Sequence, residues 1–174
     1  MKLYLYPDAD DTDSNWLNNL NNNTDLYSYI DDPHDNPDDA TTCIHLYSAT
    51  YATGDAYFGV QNHGAITGTI QNVRLATRGY RTGGAGFCSY TPSIRIGSTN
   101  YGASPQVPDS WATFNQDWDV NPVDSESWEW ADIDGIKIRL FGYASFGYYM
   151  YVTQAFLEID YVPFFGPFPT HLNI

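Results

Sequence analysis

Tyr148-Tyr149-Met150-Tyr151-Val152-Thr153-Gln154-Ala155-Phe156-Leu157-Glu158-Ile159-Asp160-Tyr161 reads as one long β-strand. Side chains in a strand point alternately to its two faces, so residues two apart share an environment. Tyr149, Tyr151, Thr153, Ala155, Leu157, Ile159 and Tyr161 fall on one face, opposite Gln154, Glu158 and Asp160. The first set is predicted to face a core and the second to face water.

The same period recurs upstream. Val73, Leu75 and Thr77 alternate with Arg74 and Arg78, and Phe114, Trp118 and Val120 alternate with Asn115, Asp117 and Asp119. With further strands predicted at 2–6, 26–30, 42–47, 56–60, 87–96 and 136–141, the chain is a series of short strands between turn residues such as Gly83-Gly84-Ala85-Gly86. Strands with one apolar face bury it by packing two sheets against each other. The expected fold class is all-β: a jelly-roll-like antiparallel β-sandwich with one short helix. That helix is predicted at 128–134, with Ser127 as its cap, Glu129 in its first turn, Gly135 closing it, and Trp130 and Ile133 on its buried side. At 174 residues there is room for one domain, 1–162, followed by an extended Pro/Phe-rich arm, 163–174.

Seven basic residues stand against 21 acidic ones, a formal net charge of −14. Such a chain repels phosphate backbones and anionic membrane surfaces, so no nucleic-acid partner is expected. No apolar run has the length of a membrane span, so membrane insertion is not expected either. Met1-Lys2-Leu3-Tyr4-Leu5-Tyr6 gives way at once to Pro7-Asp8-Ala9-Asp10-Asp11, which does not read as a signal peptide. Alternation puts Cys43 on the outer face of its strand and Cys88 on an inner face, so the two are expected as free thiols.

Catalytic constellations are missing from the sequence. His34, His45, His63 and His171 are scattered, no Gly-x-Ser-x-Gly elbow occurs, and no Cys-x-x-Cys or His-Glu-x-x-His pair is present. Glu126 and Glu129 form a carboxylate pair of the glycosidase kind, but on a short surface helix. The expectation is a protein that is not an enzyme and needs no cofactor. One candidate ion site remains: Asp8, Asp10, Asp11 and Asp13 offer hard oxygen ligands in the alternating manner of calcium loops, though without the Gly and the closing Glu of an EF-hand. Asp31, Asp32, Asp35, Asp38 and Asp39 form a second such cluster, which does not match an EF-hand either, and the alternative is a solvated acidic loop.

Rings are in surplus. Alternation places Tyr47, Tyr57, Tyr80, Trp111, Tyr148 and Phe156 on outer faces, more than a free monomer ordinarily displays. Phe164, Phe165 and Phe168 add three more on the arm, which its prolines hold extended. Tyr57, Trp111, Tyr148, Phe156, Phe164, Phe165 and Phe168 are thus the candidate partner-contact residues. Two occupants fit them, a protein subunit or a sugar, because both cover ring faces.

The run Asn121-Pro122-Val123-Asp124-Ser125-Glu126-Ser127-Trp128-Glu129-Trp130-Ala131-Asp132-Ile133-Asp134-Gly135-Ile136, followed by Val152-Thr153-Gln154 and Glu158-Ile159-Asp160-Tyr161, resembles the closing signature of a group of jelly-roll-like proteins. Its members occur in tailed viruses, prophages and environmental genomes, and usually carry Thr-Gly where this chain has Asp124-Ser125 and Asn where it has Asp134. The resemblance implies a structural or surface-attached role. The expectation is therefore a subunit or decoration of a virus particle (capsid, fibre or tail) or a related extracellular assembly. Copies of itself, or a viral shell or tail protein, would be its partners. The alternative expectation is a carbohydrate-binding module that attaches to cell-surface glycans.

Overall fold

The computed structural model describes residues 1–164 apart from 14, 40, 84–86, 103, 104 and 107. Two antiparallel sheets pack face to face into a jelly-roll-like sandwich. The first sheet joins β3 (Leu17–Asn18), β4 (Ile44–Ser48), β11 (Tyr148–Pro163), β6 (Gly68–Thr82) and β9 (Ala112–Trp118) in that order, with β1 (Lys2–Leu5) also on β11. The second runs β2 (Pro7–Thr12), β5 (Tyr51–Val60), β10 (Ile136–Ser145), β7 (Cys88–Ile96) and β8 (Thr99–Gly102). The chain changes sheets at Tyr6–Pro7.

Leu46, Met150, Val152, Leu157, Ile159, Val73 and Leu75 of the first sheet meet Ala56, Phe58, Ile138, Leu140, Tyr90 and Ile94 of the second, all buried. Polar groups caught between the layers are paired. The Trp16 indole donates to the Leu140 carbonyl at 3.1 Å, and the Tyr90 and Thr77 hydroxyls share a hydrogen bond at 3.2 Å. Burial raises the Tyr90 pKa, so its phenol stays neutral.

The decisive feature is in β11. Its register against β6 slips between Val152 and Gln154, leaving Thr153 as an extra residue. A β-bulge of this kind exchanges inside and outside for everything beyond it. Ala155, Leu157 and Ile159 face the core as their alternation predicts, but on the other side of the bulge the core residues are Met150 and Val152. Tyr149 and Tyr151, predicted to be inside, stand on the outer face. Tyr148, predicted outside, takes the inner phase, packs against the core and has the Arg81 guanidinium 5.9 Å from its ring centre.

Other expectations change at element ends. Residues 26–30 were predicted as a strand, but Leu26–Tyr29 forms a 3-10 turn whose first N–H groups, Leu26 and Tyr27, donate to Asp10 at 2.8 Å each. The helix α1 is shorter than predicted, Trp130–Asp134, and is capped by Glu129 rather than Ser127. Glu129 and Asp132 form a reciprocal capping box, satisfying otherwise unpaired N–H groups at the helix start. Val120 is 44% exposed beyond the end of β9, whereas Phe114 and Trp118 pack against the core.

β1 and β4 pair with different lengths of the same edge of β11, at 157–160 and 148–152. The segment from Ile30 to Pro33 fills the gap between them: Ala155 N–H donates to the Ile30 carbonyl at 2.9 Å, and the Gln154 amide donates to the Asp32 and Pro33 carbonyls. The Thr153 hydroxyl donates to the Thr42 carbonyl at 2.7 Å and lies 3.2 Å from the Asp32 carboxylate, which also accepts from Asp38 N–H. Asp39 grips Arg78 through both its oxygens. The second acidic cluster thus ties this covering loop to the sheet.

Candidate functional site

Three zones divide the outer face of the first sheet. At one end Lys2, Arg74, Asp117 and Glu158 form exposed ion pairs. The covering loop occupies the middle. At the other end the bulge leaves a continuous row of rings.

Register builds that row. Tyr149 pairs with Tyr47 on one side and Thr82 on the other, and Tyr151 pairs with His45 and Tyr80. Side chains opposite one another on adjacent strands are close enough for ring contact. Tyr47 and Tyr149 stack at 4.3 Å between centroids, Tyr149 and Tyr151 at 5.6 Å, and Tyr151 and Tyr80 at 5.3 Å. Trp111, just ahead of β9, adds a tilted contact with Tyr80 at 4.7 Å. The ladder Tyr47–Tyr149–Tyr151–Tyr80–Trp111 crosses four strands or their extensions, a span on the order of 14 Å at the usual interstrand spacing.

Polar groups line the same strip. A depression of about 390 Å³ is bordered by Asn19, Asn21, Cys43, His45, Tyr149 and Tyr151, and a second of about 240 Å³ by Cys43, Tyr80, Trp111 and Tyr151. Beyond Tyr47 a third follows, bordered by Asn15, Leu17, Tyr51, Ala52 and Thr53. His45 is only 8% exposed, yet among the described residues its ring nitrogens have no hydrogen-bond partner. Burial lowers its pKa, so it is a neutral imidazole with donor and acceptor capacity turned to the depression. The hydroxyls of Tyr47, Tyr80, Tyr149 and Tyr151 are likewise without a partner among the described residues. Burial first, then the neighbouring Tyr80 and Tyr149, pushes the Tyr151 pKa up to about 12, keeping it a hydrogen-bond donor.

The asparagine run at 18–23 shapes the rim. Asn18, 2% exposed, accepts from Leu20 and Asn22 N–H and donates to Asn22 Oδ1 and the Thr24 carbonyl. Asn21 takes the left-handed conformation, φ 60°, that asparagine tolerates better than most residues. Asn19 is pinned between the Thr41 carbonyl, to which it donates, and the Cys43 thiol, from which it accepts.

The predicted contact residues separate. Trp111 belongs to the ladder, with Tyr47 and Tyr80 also from the predicted outer set. Phe156 is on the outer face, but only 5% exposed: Tyr4, Tyr6 and His34 cover it, with Tyr4 and His34 stacked at 3.6 Å. It is unavailable to a partner because Tyr4 of β1, Tyr6 and His34 of the covering loop have already taken it. Tyr148 takes the inner phase and is partly buried against the core, apart from the ladder. Tyr57 sits apart on the second sheet, with Arg95 and Arg139 at 4.7 and 5.6 Å from its ring centre. Phe164 is 70% exposed, and Phe165 and Phe168 lie outside the described residues.

Asp8, Asp10, Asp11 and Asp13 do not converge. They lie along β2 and just past it, where a strand sends neighbours to opposite sides. Asp10 caps the 3-10 turn and Asp11 pairs with Lys137 at 2.8 Å. Among the described residues no group of three or more His, Cys, Asp or Glu side chains is placed to hold a metal ion. Cys43 borders the ladder, Cys88 is in the core, and both thiols are free.

A strict period of two carried across Thr153 hides the ladder in the sequence. One signal was present. Met150 and Val152 are even-numbered and Leu157 and Ile159 odd-numbered, so the aliphatic residues change parity across the polar pair Thr153-Gln154.

No helix is long and apolar enough to cross a membrane among the described residues. No family model and no curated protein matches the sequence. Among solved structures the chain is similar to TmCBM61 in complex with β-1,4-galactotriose, with a TM-score of 0.45, 10% identity, and coverage of 69% of this chain and 72% of that one. It is also similar to a Family 16 Carbohydrate Binding Module-2, with a TM-score of 0.39, 14% identity, and coverage of 68% and 77%.

Proposed function

We propose that the protein is a non-catalytic carbohydrate-binding module whose ligand lies along the ladder Tyr47–Tyr149–Tyr151–Tyr80–Trp111. The observation that carries this reading is the combination of rings with unpartnered polar groups on one open strip. Sugar rings offer apolar C–H faces to an aromatic ring and hydroxyls to donors and acceptors around it. Tyr47 and Trp111 each have a single ring neighbour among the described residues, so each end of the ladder retains ring surface for stacking. His45, Asn21 and the tyrosine hydroxyls supply the hydrogen bonds that would fix a sugar's orientation.

A protein interface ordinarily has a larger apolar centre. Of the rings that point to a subunit contact, Phe156 is covered within the chain and Tyr148 is partly buried against the core. Tyr51, Phe87, Phe146 and Phe164 are exposed outside the ladder, but Tyr47, Tyr149, Tyr151, Tyr80 and Trp111 form one strip edged with amides and an imidazole, and that combination favours a sugar there.

The test is retention on immobilised polysaccharides. The parent protein binds at least one, and Trp111→Ala and Tyr47→Ala each weaken that binding while leaving the folded state intact by circular dichroism. Unchanged retention in both variants would overturn the assignment.

A further inference from the structure

We infer that the ligand is a neutral glycan, and that glycans bearing carboxylate or sulfate are excluded; this rests on the carbohydrate-binding reading above.

No described residue bordering the ladder or its depressions is a cation. The borders are Asn15, Asn19, Asn21, Cys43, His45, Thr53 and the rings themselves. Recognition of an anionic sugar calls for charge-assisted hydrogen bonds, and the guanidinium fork is the group best shaped for them. The two arginines nearest along β6 are committed elsewhere. Arg78 shares the outer face with Tyr80, but Asp39 holds its Nε and Nη2. Arg81 points to the opposite face, where Asp109 pairs with it at 2.7 Å. His45 does not replace them, because burial keeps it neutral. The formal charge of −14 adds an overall repulsion toward polyanions.

Neutral hydroxyls meet what the strip does offer. A sugar hydroxyl both donates and accepts, and so matches a neutral imidazole, an amide and phenols alike. The strip is open and crosses several strands, so it accommodates a chain of sugars rather than one enclosed ring.

The experiment compares matched gels at low and high salt: galactan against polygalacturonate, and hydroxyethyl cellulose against carboxymethyl cellulose. The full chain is expected to be retained on at least one neutral gel at both salt concentrations, and on no acidic gel at low salt. Thr82→Lys places an ammonium beside Tyr149 at an exposed position outside the proposed contacts. It is expected to raise retention on the acidic partner of whichever neutral gel binds. Retention of the parent on an acidic gel as strong as, or stronger than, on its neutral counterpart would overturn the neutral-ligand inference while leaving sugar binding in place. Retention on none of the four gels would overturn both.

Discussion

Thr153 puts the ring ladder on the outer face, and changing it tests that directly. Its side chain is fully buried, and its hydroxyl donates to the Thr42 carbonyl at 2.7 Å beside the Asp32 carboxylate. Thr153→Val keeps the shape and the residue count but removes the donor. Leaving one buried acceptor unsatisfied costs ~1–3 kcal/mol. For a chain of this size each kcal/mol moves the melting temperature by about 2–4 °C, so the expected fall is about 2–12 °C. Calorimetry or circular dichroism reads it, and the tyrosine signal of the folded state should persist because the bulge remains. Deleting Thr153 is different in kind. Without the extra residue the strand keeps a single phase, and either Tyr149 and Tyr151 or Leu157 and Ile159 must leave their places. The deletion variant should lose its cooperative transition. A deletion variant that melts like the parent would refute the role given to the bulge, and a Thr153→Val variant with unchanged melting would refute the role given to the hydroxyl.

Other consequences follow from local geometry. A methyl at Gly142 would lie 2.6 Å from Trp16 Cζ2 and 2.8 Å from Leu46 Cδ2, so Gly142→Ala should cost ~1–3 kcal/mol, read as a lower urea midpoint with an unchanged slope. Burial pushes the Cys43 thiol up to about 11 and the Cys88 thiol up to about 12, so a thiol reagent at neutral pH should find neither in the folded protein and both in urea. His45 is held below its ordinary pKa, so on acidification the unfolded chain takes up this proton before the folded one. Its contribution leaves stability unchanged above about pH 6.5 and lowers it as pH falls below that value. Calorimetric titration with the glycan that binds should give flat affinity between about pH 6.5 and 8, because His45 and Tyr151 keep their protonation states over that range.

Much of this architecture is visible in the sequence wherever alternation runs unbroken. Val73, Leu75 and Thr77 face inward with Arg74 and Arg78 outward, as their period requires. The ring ladder is less legible because it depends on a phase change, and a period of two has no memory of a single added residue. An unbroken period puts Tyr149 and Tyr151 in the core for that reason alone. Phe156 shows the complementary limit: its face follows from alternation, but its burial under Tyr4, Tyr6 and His34 depends on segments more than a hundred residues away. His45 carries no local signal, since its unpartnered nitrogens acquire meaning only beside Tyr151 and Tyr149.

The structure of the protein with a neutral oligosaccharide bound would test the central claim most directly. The sugar should lie between Tyr47 and Trp111, with hydroxyls bonded to His45 and the row of phenols. Its appearance instead on the second sheet around Tyr57, or a ladder closed off by another protein copy while the sugar stays free, would contradict the account.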